Sequence, residues 1–255
     1  MNLIDTHNHL YLPEFDQDRD EVVKRSVADG VTKILMPNID STSVGPMLAT
    51  EVRYPGICLP MMGLHPTSVK GDYLTELNNV EKLLGEHKYY GIGETGIDLF
   101  WDKTWYGEQL ISFRRHLELA EIYSLPVVIH SRESIEVVFK ELQAFGPERI
   151  TGVFHAFPGG AEEALTAVQL GFMIGVGGVV TFRNSSLGEA AIAAGVNNIV
   201  LETDAPYLAP APHRGKRNES SYLALVTARL SEVLGISPAE VASRTTANAA
   251  KLFGI

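Results

Sequence analysis

Five short apolar runs, spread over most of the chain, each end on a side chain able to ligate a metal. They are Leu3-Ile4-Asp5-Thr6-His7-Asn8-His9, Tyr90-Gly91-Ile92-Gly93-Glu94, Val127-Val128-Ile129-His130, Gly152-Val153-Phe154-His155 and Ile199-Val200-Leu201-Glu202-Thr203-Asp204. A closed parallel barrel brings the C-terminal ends of all its strands to one mouth, so five such endings in order constrain the fold strongly. Eight runs read as strands: 3–7, 32–37, 58–64, 90–94, 127–130, 151–155, 172–176 and 199–203. Each is short and continuously apolar, as strands buried on both faces of a parallel sheet must be.

Amphipathic stretches with helical spacing lie between them, at 18–29, 108–123, 134–145 and 160–170. Two more helices are expected at 220–234 and 238–253, the last with Ser237 as cap and Pro238 in its first turn. Strand–helix alternation implies parallel βαβ units, and eight of them favour an α/β fold of the (β/α)8 TIM-like barrel type over a doubly wound open sheet. The length of 255 residues suits one such barrel. No linker, repeat or low-complexity tract divides it, so 1–255 reads as a single domain. Pro206–Arg217 follows the last strand directly and reads as a long loop over the barrel mouth.

Composition narrows the function classes. No apolar stretch is long enough for a membrane span, and the N-terminus lacks the basic start and apolar core of a signal peptide. The lone Cys58 agrees with a reducing compartment, so a cytoplasmic protein is expected. The formal charge of −10 argues against a broad basic surface gripping nucleic acid, while leaving room for a phosphorylated substrate in a pocket where bound cations reverse the local field.

Each strand ending, taken alone, has a plainer reading. Glu94 could be a solvated carboxylate at a glycine-rich turn, His130 and His155 hydrogen-bonded structural residues, and Asp204 an Asx-turn residue before Ala205-Pro206. His7 and His9, two apart on a strand, face one side and can reach one ion, with Asp5 and Thr6 placed to orient their rings. Two histidines one residue apart also occur by chance, yet plain readings would have to hold together at all five strand ends. Four histidines and two carboxylates are enough for two divalent cations, which polarise phosphoryl or carbonyl oxygens and lower the pKa of water. A mixed imidazole and carboxylate set leaves Mg, Mn and Zn open.

The motifs resemble those of TatD-type metal-dependent hydrolases, a deoxyribonuclease-like branch of the amidohydrolase superfamily. They are Asp5-Thr6-His7-Asn8-His9, Gly63-Leu64-His65-Pro66, Gly93-Glu94-Thr95-Gly96-Ile97-Asp98, Pro126-Val127-Val128-Ile129-His130-Ser131-Arg132 and His155-Ala156-Phe157. Glu202-Thr203-Asp204-Ala205-Pro206-Tyr207-Leu208 and Arg214-Gly215-Lys216-Arg217-Asn218 complete the series, which covers essentially the whole chain. The resemblance implies His7, His9, Glu94, His130, His155 and Asp204 as metal ligands, with Glu94 bridging and Asp204 also serving as general base. It further implies a nuclease, of a kind that trims single-stranded DNA or RNA from the 3′ end. His65 and Glu202 would lie at the mouth as supporting or additional-ion residues, although Glu202 could instead point into the helix layer. Arg132, Arg214 and Arg217 are candidates for phosphate contacts, or else surface charge on loops.

Two departures from the family pattern fall in loops. Glu219-Ser220-Ser221-Tyr222 lacks the proline usual between the acidic residue and the tyrosine, and Ala156-Phe157-Pro158-Gly159-Gly160 stands where a Cys-Phe-Ser-Gly pattern is commoner. Trp101, Trp105 and Tyr106 could stack on a base or pack their loop onto the barrel. Alternative functions are hydrolysis of a small ester, lactone, amide or phosphotriester, and a non-catalytic interaction module with a vestigial metal site.

Overall fold

The apolar runs pair in parallel, in chain order. The computed structural model, which describes residues 1–255, starts with β1 (Leu3–Asp5), α1 (Arg19–Ala28), β2 (Val31–Pro37), α2 (Ser41–Arg53), β3 (Cys58–Met61) and α3 (Tyr73–Glu86). It continues with β4 (Ile92–Asp98), α4 (Tyr106–Tyr123), β5 (Val127–Arg132), α5 (Ile135–Phe145), β6 (Gly152–Phe154) and α6 (Ala161–Gln169). The remaining elements are β7 (Phe172–Val176), α7 (Leu187–Ala194), β8 (Ile199–Leu201), α8 (Leu223–Leu234) and α9 (Pro238–Phe253).

Two parallel ladders, β1-β2-β3 and β4-β5-β6-β7-β8, curve into a TIM-like barrel. Single bridges join them, Met62 to Ile92 at one seam and Asn8 to Ala205 at the other. At the first seam Gly63 lies so close to the Gly93 backbone that a side chain at position 63 would collide with it. At the second, the Thr6 amide donates to the Leu201 carbonyl at 3.0 Å.

The barrel axis separates two apolar populations. Ile4, Leu35, Leu59, Val128, Val153 and Val200 cluster with Ala249 and Phe253 of α9, so the last helix stoppers the barrel. Leu3, Ile34, Cys58, Val127 and Ile129 instead join the large core shared with the helices. Side chains two apart on a strand share a face. His130 and His155 therefore stand above Val128 and Val153. The interior cluster is the bed on which the polar mouth rests.

Strand β7 and helix α9 fall at the bounds expected from sequence, and Ser237 caps α9 by accepting the Glu240 amide at 3.2 Å. β4 lies later than expected, because Gly96, Ile97 and Asp98 go on pairing with His130, Ser131 and Arg132. β1, β6 and β8 stop early, which leaves His7, His9, His155, Glu202 and Asp204 just beyond the ladders. Helices α2, α3 and α7 occupy segments that periodicity left unassigned; α2 carries Gly45 and Pro46 yet is held at its start by Asp40, whose carboxylate accepts the Thr42 amide. No helix is long and apolar enough to cross a membrane.

Candidate metal centre

Glu94 is the hub of the mouth. It is 2 % exposed, and each of its carboxylate oxygens faces a different group of donors. Oε2 lies 3.1 Å from His7 Nε2 and 3.7 Å from His9 Nε2. Oε1 lies 2.8 Å from His130 Nδ1, 3.2 Å from His65 Nε2 and 3.5 Å from His155 Nε2. Asp204 Oδ1 joins the first group, 3.8 Å from His7 Nε2 and 3.5 Å from His9 Nε2. Sequence placed His65 at the margin; in space it is as near to Glu94 as the other histidines.

The spacing fits a divalent cation. Four ligands tetrahedrally placed at about 2.1 Å from an ion are about 3.4 Å from one another. His7 Nε2 and His9 Nε2 are 3.3 Å apart, and each lies within 3.1 to 3.8 Å of both Glu94 Oε2 and Asp204 Oδ1. On the other side His65, Glu94 and His130 converge in the same way, and His7, His155 and Asp204 form a third converging set. His7 Nδ1 is buried without a hydrogen-bond partner, and the His7 and His155 rings stack at 3.5 Å. Buried polar atoms are rarely left so, and at a ligand site they mark groups arranged for something other than each other.

Neighbouring residues hold these rings in a ligating form. The Tyr11 hydroxyl has one hydrogen and donates it to the Pro37 carbonyl at 2.6 Å. His9 Nδ1, 2.9 Å from that hydroxyl, must therefore be the donor, which leaves Nε2 with a free lone pair toward the centre. His130 is held from behind by Asp98, whose Oδ2 lies 2.9 Å from Nε2, leaving Nδ1 to face Glu94. Asp98 was inside a quoted motif but was given no role by sequence. Its value depends on a contact across β4 and β5 that no single strand reveals. Glu202 points inward to His155, 3.2 Å from its Nδ1, and accepts the Ala156 amide at 2.5 Å. Gly175 makes room for it, since any side chain there would strike the Glu202 carboxylate.

A buried network ties the two ends of the chain's site together. Asp5 accepts from the Thr203 hydroxyl at 2.6 Å, the Ser220 hydroxyl at 2.6 Å and Asn8 Nδ2 at 3.0 Å. Burial nevertheless prevails and raises its pKa to about 6. Ser220, in the stretch that lacks the expected proline, thus contributes a hydrogen bond under the His7–His9 turn. Asp204 has a left-handed backbone (φ 58), which aspartate tolerates better than most residues, and its amide donates to the His7 carbonyl at 2.9 Å.

The electrostatics are those of a site short of positive charge. Burial opposes ionisation of Glu94, yet His65, His7, His155 and His130 outweigh it and hold its carboxyl well below the usual range. Burial likewise opposes a charge on His155, but Glu202, Glu94 and Asp204 prevail and raise it to about 10. Burial pushes His7 and His65 down. So much carboxylate around one imidazole is the field in which a metal cation is favoured.

The cavity above the centre has a volume of about 690 Å³ and is lined by Trp101, Arg132, Tyr207 and Leu208 at its rim. Arg217 lies elsewhere: it pairs with both oxygens of Asp18 at 2.7 Å and pins the long loop to α1. Arg214 stacks on Phe182 at 4.1 Å, also off the cavity lining. His213 stacks on Tyr222 at 4.2 Å, and His87 binds Glu51 at 2.8 Å. His116 is fully buried; its Nδ1 donates to the Ser112 carbonyl at 2.7 Å and its Nε2 accepts the Leu64 amide, one residue before His65.

Barrel and donor set together define a metal-dependent hydrolase of the TIM-like type. The family model described as TatD related DNase matches residues 4–254, and the chain belongs to the TatD family. It is 35% identical over 254 residues to the uncharacterized metal-dependent hydrolase YabD of Bacillus subtilis, covering 99% of each chain. The crystal structure of YjjV, a TatD homologue from Escherichia coli, superposes with a TM-score of 0.93 at 30% identity, covering 99% of this chain and 98% of that one. A phosphotriesterase homology protein from E. coli shares the fold with a TM-score of 0.72 at 15% identity.

Proposed function

We propose that this centre hydrolyses phosphodiester bonds at the end of a single-stranded nucleic acid, DNA first, from the 3′ terminus. The observation that carries the reading is the division of Glu94: each oxygen faces its own donor group, an arrangement suited to two cations and so to in-line displacement at phosphorus. His7, His9 and Asp204 would hold one cation and His65, His130 and His155 the other, with Glu94 shared. Mg, Mn or Zn would supply Lewis-acid polarisation of the phosphoryl oxygen and a water of lowered pKa.

The chain's own groups do the rest. Asp204 is the ligand carboxylate most open to the cavity, with 15% of its side chain exposed, and it takes the proton of the attacking water. Arg132 is the one Lys or Arg lining the cavity, against Glu94, Asp98 and Asp204. A single arginine in an acidic mouth suits one phosphate of an entering strand end and not the long backbone of a duplex. The family description, TatD related DNase, supports the same reading.

Metal-loaded protein incubated with 3′-labelled single-stranded DNA tests this. Nucleotide release well above that of Asp204→Ala is expected. Equal release by both, or efficient turnover of lactones and phosphotriesters with none of oligonucleotides, would sink it.

A further inference from the structure

Beyond the centre, the rim carries a feature that neither metal ligation nor barrel packing uses. The loop after β4 presents Phe100 and Trp101 to solvent, 47% and 68% exposed, and Trp101 lines the cavity. Arg132 from the end of β5 lies over Phe100 at 3.8 Å and 5.3 Å from the Trp101 ring, with no carboxylate within ion-pairing distance. Trp105, in the same loop, is half-buried near Gly71 and does the packing against the barrel. The exposed pair is therefore free for a ligand, and large aromatic surface left in water beside a cavity is costly unless used.

This group is fixed in register with the metal centre. Asp98 Oδ1 accepts the amides of Phe100 and Trp101 at 2.9 and 3.0 Å, while Oδ2 of the same carboxylate holds His130. A shift of the aromatic loop is thus a shift of the group behind a metal ligand.

We infer that Trp101, Phe100 and Arg132 form a nucleotide subsite, in which a nucleobase stacks on Trp101 and the guanidinium, lying over Phe100, offers its N–H groups to the adjoining phosphate. The inference rests on the phosphodiesterase reading and names what the enzyme demands beside the scissile bond: an unpaired base. A planar cation laid on an aromatic face keeps its in-plane donors free, and carboxylate-free surroundings leave them for an anion. Bases within a duplex are stacked on their neighbours, whereas those of a single strand expose their faces. Small esters, lactones and phosphotriesters lack the pairing of an aromatic plane with an adjoining phosphate monoanion.

Trp105→Phe leaves Trp101 as the sole tryptophan, because the chain has only two. Titration of that metal-loaded protein with phosphorothioate oligothymidylate, which resists cleavage, should quench Trp101 emission; an abasic strand of equal length should not. In parallel, Trp101→Ala is expected to raise KM for an ordinary oligonucleotide about tenfold, with kcat changed about twofold at most, and to erase the preference for a base-bearing end over an abasic one. An unchanged KM and an undiminished preference would overturn the subsite while leaving the nuclease reading intact. Base-dependent quenching without any cleavage would uphold the subsite and sink the nuclease. Neither quenching nor cleavage overturns both.

Discussion

His9 and Trp101 face the same cavity, yet His9 is 3% exposed and Trp101 is 68% exposed. His9 has its protonation settled by Tyr11 and, through it, by Pro37. Trp101 is held mainly through its backbone amide. The same contrast separates all the proposed ligands from the rim. Most of the proposed ligands follow strand ends, and His9, His130 and His155 are each held by a neighbouring side chain, Tyr11, Asp98 and Glu202. The rim residues Trp101, Tyr207 and Leu208 sit on the loops after β4 and β8 and Arg132 ends β5, all of them exposed. Function at the two levels should therefore fail differently: a change below removes the chemistry, and a change above redirects it.

The largest effect is expected at the hub. Glu94→Gln keeps shape but removes the charge shared by both donor groups, and should cost on the order of a thousandfold in kcat, equivalent to about 4 kcal/mol. Metal content measured on the same sample should fall with it. If turnover falls while metal content holds, Glu94 acts on the substrate and not on cations.

Next is the support beneath the mouth. His116 is buried neutral, and burial lowers its pKa from 6.5 to about 4. Because the folded state binds fewer protons than the unfolded chain, this contribution is present above pH 6.5 and is lost as pH falls toward 4. Urea titrations should show a loss of about 3 kcal/mol over that window, reduced in His116→Gln. An identical acid limb in both proteins would remove His116 from the account.

Asp98 joins the two levels, so it discriminates between them. In Asp98→Asn the amide oxygen can still accept the Phe100 and Trp101 amides. The amide nitrogen facing His130 Nε2 would donate, forcing the ring proton onto Nδ1, the atom that faces Glu94. Metal affinity should drop about 10- to 100-fold, as it does when the group behind a metal-binding histidine is lost, while the base preference persists. Loss of the base preference with full metal affinity would reverse the assignment of Asp98. The smallest effect belongs to Arg132→Lys, which keeps charge and loses the guanidinium over Phe100; a rise in KM of about threefold with little change in kcat is expected, in line with a surface-level charge interaction.

What sequence could reveal follows the same division. Strand endings betray themselves because the apolar run and its terminal candidate ligand are contiguous, as in Val127–His130 and Gly152–His155. Contacts between distant segments do not. Nothing in the chain announces that Arg217 pairs with Asp18, that Asp98 backs His130, or that Ser220 donates to Asp5. Helix α2 was obscured by Gly45 and Pro46, which local propensity reads as breakers, and its burial against β3 overrides them. His65 was undervalued because its motif ends no ladder; only the bend after β3 carries it to Glu94.

Elemental analysis of protein purified without chelator, run beside Glu94→Gln, tests the shared-carboxylate centre most directly. Two divalent cations per chain are expected in the parent protein and at most one in the variant. A parent chain saturating at one cation, or a variant that still holds two, would contradict it.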